Sequence, residues 1–280
     1  MTTSVPHIVT DSTADIPAEI TQRLDITVIP CVLQSAGQSY RDGIDITRQE
    51  FYRRLRQQEF FSTSQPSVGV FAETYRRLLE DGRPVVAVHL ASRLSGLYST
   101  AQIAANEVDG ERITVVDSRQ LSMCTGWLAI HAGEAAQEGR QAREIVAELQ
   151  QMVPRLRLLA LIDDLRFLQR SGRVGWISSL IGSLFALKPI VLVREGRADL
   201  AEKVRSWARG IERLAARTAE LGALQRLAVL HADAFESAAE LAHHLERFYP
   251  REQMIVTEAS AIVAAHAGPG AIGVGCLLAG

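Results

Sequence analysis

The run V-V-A-V-H-L at 85–90, the turn A-S-R-L-S-G at 91–96, a helical pattern over 95–108 and I-T-V-V-D at 113–117 together decide the fold class. Two β-branched runs separated by an amphipathic helix form a crossover unit, and strands joined that way lie parallel. Upstream, H-I-V-T at 7–10 and I-T-V-I-P-C-V-L at 26–33 read as further strands, with helical patterns at 17–24, 47–58 and 67–81. Helical patterns at 121–138 and 142–152 follow. Residues 1–155 are therefore expected to form a three-layer, mostly parallel α/β/α domain.

Near Val153 the pattern changes. L-L-A-L-I at 158–162 reads as a strand, 165–173 as a helix, and W-I-S-S-L-I-G-S-L-F-A-L at 176–187 as an uncharged amphipathic stretch suited to walling a cavity. The segment 189–206 reads as a hairpin turning at Glu195 and Gly196. A helix at 207–221, a strand at 226–231, a helix at 235–248, a strand at 253–258 and a last strand after Gly270 complete a smaller α+β domain with a mixed sheet over 156–280.

The length of 280 residues suits two such domains, and 47% hydrophobic with 22% charged residues describes a folded globular chain. The net charge of −2 lacks the basic excess of a phosphate-backbone binder, so nucleic acid is not an expected partner. Charge is uneven, because residues 155–217 carry +7 and the remainder −9, which marks a surface for an acidic partner. Cys31, Cys124 and Cys276 are far apart and read as buried thiols; with no signal-peptide pattern at the start, the expected location is cytoplasmic. The uncharged stretch 259–280 holds His266, Pro269 and five glycines, and reads as a buried terminus rather than a membrane span. No cofactor is expected: G-P-G-A-I-G at 268–273 has only seven residues after it, too few for a dinucleotide unit, and no P-loop is present. No metal site is read either, because Asp42, Asp45, Asp163 and Asp164 lack accompanying His or Cys.

Three corners rich in hydroxyls carry the chemistry: Thr10 to Thr13, Ser62 to Ser67, and Ser92 to Gly96. Each alone is an ordinary helix cap. At the shared edge of a parallel sheet they form an anion site of hydroxyls and amides, with Gly96 allowing close backbone approach. Ser95 lies in L-S-G-L-Y, without the first glycine of a nucleophile elbow. A serine esterase or acyltransferase using Ser95, His266 and Asp11 remains open at this level.

I-V-T-D-S-T-A-D-I-P at 8–17, S-T-S-Q-P-S at 62–67, L-S-G-L-Y-S-T-A at 94–101, V-V-D-S-R at 115–119, L-x-x-L-x-x-x-G-R at 165–173, L-K-P-I at 187–190, K-V-R-S at 203–206 and H-A-G-P-G-A at 266–271 resemble, in order, the DegV family of bacterial fatty acid-binding proteins. The resemblance implies one long-chain fatty acid held between the two domains, the second closing over the acyl chain. It places the carboxylate at Thr63, Ser95 and His266, with Ser64 and Gly96 nearby. It further implies a protein that is not itself an enzyme but presents the acid to a separate ATP-dependent fatty acid kinase for acyl-phosphate formation, a step toward phospholipid synthesis. Arg205 would serve the kinase encounter together with Arg170 and Arg173, although the family often has a lysine- and glycine-rich run where this chain has Gln169, Arg170 and Ser171. The tail pocket is assigned to Ile177, Leu180, Leu184 and Phe185. Burying ~14 methylenes at ~0.8 kcal/mol each gives ~11 kcal/mol before association costs, so unloading calls for a partner or a transient membrane contact. A kinase subunit, by analogy with the related fold of dihydroxyacetone kinases, is a third reading.

Overall fold

The computed structural model describes residues 5–173 and 187–280. In chain order the first half contains β1 (His7–Asp11), α1 (Ala18–Arg23), β2 (Ile26–Ile29), β3 (Val32–Ser35), β4 (Gln38–Arg41), α2 (Arg48–Arg56), β5 (Ser62–Ser64), α3 (Val68–Leu79), β6 (Val85–His89), α4 (Leu97–Asp109), β7 (Ile113–Asp117), α5 (Met123–Gln137) and α6 (Ala142–Met152). The second contains β8 (Leu156–Leu161), α7 (Arg166–Arg170), β9 (Lys188–Arg194), β10 (Arg197–Val204), α8 (Trp207–Ala219), β11 (Leu224–His231), α9 (Phe235–Leu245), β12 (Ile255–Glu258), α10 (Ala261–Ala267) and β13 (Ile272–Leu278).

The expected parallel sheet is present in the order β2-β1-β6-β7. The expected mixed sheet has six strands in the order β10-β9-β8-β13-β11-β12, antiparallel except for β11 with β12. Its β9–β10 hairpin turns at Glu195 and Gly196, both at positive φ of 50° and 74°, the geometry of a two-residue hairpin loop. No helix among the described residues is long and apolar enough to cross a membrane, and the uncharged stretch after Ala259 forms α10 and the buried β13.

One expected strand is two. Pro30 interrupts 26–33, because it offers no amide to a ladder, and the chain turns away after β2. Its continuation, β3, pairs antiparallel with β4 and β5 in a separate three-stranded sheet, in which Thr63 lies opposite Leu33. The S-T-S corner is therefore reached from this small sheet and not from the parallel one.

Helix α5 joins the halves. Met123 to Ala136 is buried almost all round, including Cys124, Trp127, Leu128 and Ile130, as expected of a helix with apolar residues on every side. It packs on β1, β2 and β6 on one side and on β8, β11 and β13 on the other. Close approach to β13 depends on Gly275, where an added Cβ would lie 3.2 Å from Met123 Cβ, and Trp127 Nε1 donates to the Gly275 carbonyl at 2.9 Å.

Candidate functional site

Between the carboxyl edge of the parallel sheet and one face of the six-stranded sheet lies a cavity with a polar end and apolar walls. Strand alternation builds the walls. On β8, Leu158, Ala160 and Ile162 of the following turn point to the cavity, while Leu159 and Leu161 point to a second core under α8 and α9. Val191 and Val193 of β9, Leu230 of β11 and Gly273 of β13 extend the same wall.

The polar end draws on three elements distant in sequence. Strand β5 carries Thr63 and Ser64; it ends before Pro66, after which Ser67 caps α3 by accepting the Val70 amide at 3.4 Å. The β6–α4 turn carries Ser95, whose Oγ accepts the Leu97 amide at 3.2 Å. Helix α10 carries His266 and is capped by Ser260, which accepts the Val263 amide at 3.2 Å. Thr63 Oγ1 and His266 Nε2 share a hydrogen bond of 2.8 Å across 203 positions of sequence. Gly96 sits behind this end: an added Cβ there would lie 2.8 Å from Nε2 of Gln65, which itself donates to Thr100 Oγ1 at 3.0 Å.

Burial first, and the charge of Arg173 second, push the His266 imidazole down to about 4, so the ring is neutral at neutral pH. Arg173 lines the cavity and also donates to the Ser171 carbonyl at 2.7 Å. Asp15 is shifted the other way. Burial raises its carboxyl to about 6 against the opposing bonds from the Ser122 hydroxyl and, at 2.7 Å, the Ser260 amide. That bond ties the cap of α10 to the first half of the chain.

The structure brings Thr63, Ser64, Ser95 and His266 together around one cavity, with Thr13 from the first corner. It adds Arg173, which the sequence reading turned toward a partner. It does not bring Arg170 or Arg205 to the cavity: Arg170 is exposed and stacks over the Phe60 ring at 4.9 Å, and Arg205 is exposed after β10. Glu202, three residues before Arg205, is bonded to Arg213 and Arg217. Ile177, Leu180, Leu184 and Phe185 lie outside the described residues. Asp11 is not available to orient His266, because its Oδ2 accepts from His89 Nδ1 at 2.9 Å and its Oδ1 from Thr13, with both ionisable side chains fully buried. The Ser95–His266–Asp11 triad is thus not assembled. Missing from the sequence reading was the strand-borne wall, whose signal is the small residues Ala160 and Gly273 recurring at cavity-facing positions.

A three-sheet α/β protein with an apolar cavity that ends in hydroxyls and a neutral imidazole has the architecture of a small-ligand site. The DegV family model, described as an uncharacterised protein family, matches residues 6–278, and the chain belongs to that family. A DegV domain-containing protein of Caldanaerobacter subterraneus subsp. tengcongensis is 34% identical over 270 residues, 95% of this chain and 96% of the relative. A solved structure described as showing fatty acid binding of a DegV family protein from Thermus thermophilus is 32% identical, with a TM-score of 0.90 over 98% of this chain and 99% of that one. DegV from Bacillus subtilis, described as a fatty acid-binding protein, is 32% identical with a TM-score of 0.88 over the same shares.

Proposed function

We propose that this chain holds a long-chain fatty acid in the cavity, with the carboxylate at Thr63, Ser95 and His266 and the tail along the sheet wall, between units 1–155 and 156–280. The observation that carries the reading is the Thr63–His266 bond closing the polar end of an otherwise apolar cavity. A carboxylate there meets hydroxyl donors and an imidazole N–H, with the Arg173 charge nearby. The solved relatives described as fatty acid-binding support this ligand.

In this reading the chain is not an enzyme. It works in the cytoplasm, presenting the carboxylate to a separate ATP-dependent kinase: the carboxylate oxygen attacks the γ-phosphorus, ADP leaves, and an acyl-phosphate forms. Arg205 and Arg170, exposed and away from the cavity, meet the acidic partner, and a transient membrane contact serves loading.

Thr63→Ala and Ser95→Ala should each weaken binding of a fluorescent fatty acid about tenfold or more, each removing a hydrogen bond to a charged group worth roughly 1.5–3 kcal/mol. Wild-type affinity in both variants would remove the head-group assignment. Arg205→Ala should keep that affinity and lower acyl-phosphate output with a limiting amount of kinase; equal output removes Arg205 from the partner surface.

A further inference from the structure

A second concave region lies outside the lipid cavity. It is a cleft of about 490 Å³, lined by Ser92 and Arg93 after β6, Asp117 and Arg119 at the end of β7, and Arg194, Glu195, Arg197 and Asp199 of the β9–β10 hairpin. The V-V-D-S-R run contributes nothing to the lipid cavity and supplies two of these residues.

Three segments are locked together to build it. Asp117 Oδ1 accepts the amides of Ser92 at 3.2 Å and Arg119 at 2.9 Å, and its Oδ2 accepts the Ser92 hydroxyl at 2.6 Å. Arg119 is held at a positive φ of 50°, and its carbonyl accepts the Gly196 amide at 2.6 Å. The Arg93 stem lies on Gly196, where an added Cβ would come 3.2 Å from Arg93 Cδ. Asp117 is therefore committed to holding the loops.

The cleft lining sets four arginines against three carboxylates, Asp117, Glu195 and Asp199. Among the described residues, Arg93, Arg119, Arg194 and Arg197 have no ion-pair partner, whereas Arg209, Arg213 and Arg217 on α8 are all bonded to glutamates. Burial first, and the neighbouring Arg194 charge second, hold the Arg157 guanidinium below its usual value. Four guanidiniums around one concavity match the planar, bidentate recognition of phosphate oxygens. Glu195 and Asp199 accept hydrogen bonds and would repel a bare polyphosphate, and among the described residues the lining holds no aromatic ring to stack a nucleobase.

We infer that this cleft binds a small phosphorylated polyol, its phosphate among the four arginines and its hydroxyls on Glu195 and Asp199. The inference stands apart from the fatty acid reading. An acidic peptide is the competing occupant, but a local cleft of about 490 Å³ favours a compact ligand over an extended chain.

The experiment is isothermal titration of the full chain at low salt with glucose 6-phosphate, glucose, inorganic phosphate and hexaglutamate as probes. Glucose 6-phosphate should saturate one site, inorganic phosphate should bind more weakly and compete with it, and glucose should give no saturable heat. The double variant Arg194→Ala/Arg197→Ala should lose at least about tenfold in affinity for the sugar phosphate with its melting temperature and fluorescent fatty acid affinity unchanged. Arg119→Ala tests the same loss from a different segment. Absence of saturation by glucose 6-phosphate, or equal affinity in all three proteins, overturns the inference. Saturation by hexaglutamate alone also overturns it and assigns the cleft to an acidic protein partner.

Discussion

The two faces of the six-stranded sheet are both apolar, yet side-chain size separates them. Under α8 and α9 the sheet presents Leu159, Leu161, Ile190, Leu227, Val229 and Val274, all buried in one core with Leu214 and Leu241. Toward the first half it presents Ala160, Ala198, Ala232 and Gly273 among larger residues, and there the cavity opens. Burial alone does not tell a ligand wall from a core. Where small side chains face an element that α5 holds at a distance, space is left; where large ones face amphipathic helices, space is filled.

That contrast is open to direct attack by neighbouring substitutions on opposite faces. Leu161→Ala should destabilise the fold by roughly 2–5 kcal/mol in urea unfolding, the cost of an emptied core position, with fatty acid affinity of the folded fraction unchanged. Ala160→Phe, one residue away, should do the reverse. It fills the cavity, so fluorescent fatty acid binding should fall by about two orders of magnitude while stability changes by roughly 1–3 kcal/mol at most. If both variants lose stability and keep affinity, the two faces are one core and the ligand lies elsewhere.

A smaller effect tests the polar rim of the sparse face. The Asp15 carboxyl, raised to about 6, favours the folded state when protonated, so its contribution is full below the free value of 3.8 and is lost as pH rises through 6. The His266 imidazole, lowered to about 4, contributes fully above the free value of 6.5 and loses that contribution as pH falls through 4. Between pH 6 and pH 4 the two oppose each other, at roughly 2–3 kcal/mol each. Relative to wild type, Asp15→Asn should lose stability more steeply on acidification, and His266→Gln should lose less or gain. Parallel stability curves for the three proteins from pH 4 to pH 7 would show that neither group is coupled to folding.

The parallel sheet was legible because its strands are β-branched runs spaced by helix-length patterns, and the hairpin because Glu195-Gly196 suits a two-residue turn. The small three-stranded sheet was not, since β4 is the polar run Gln38–Arg41 and β5 has three residues, neither with an alternation to detect. At the site, hydroxyls before helices marked the corners that hold Thr63 and Ser95, while the grouping of Thr63, Ser95 and His266 rested on the family resemblance. The pairing of Asp11 with His89 escaped notice because two adjacent parallel strands bring together residues 78 apart, and nothing local to either announces it. The place of Arg173 in the cavity lining was not legible for a similar reason: a basic residue in a basic segment gives no sign of which side of the chain it faces.

The position of β13 sets an order of events. It lies between β8 and β11 and pairs with both, so β8, β9 and β10 have no hydrogen-bonded link to β11 and β12 until residues 272–278 are in place. On a ribosome those residues emerge after every other strand of the sheet. Until then the apolar edge of Leu156–Leu161 is unpaired, a template for misassociation, and the wall supplied by Gly273 does not exist. A nascent chain stalled short of β13 therefore exposes an unpaired sheet edge and lacks one wall of the cavity.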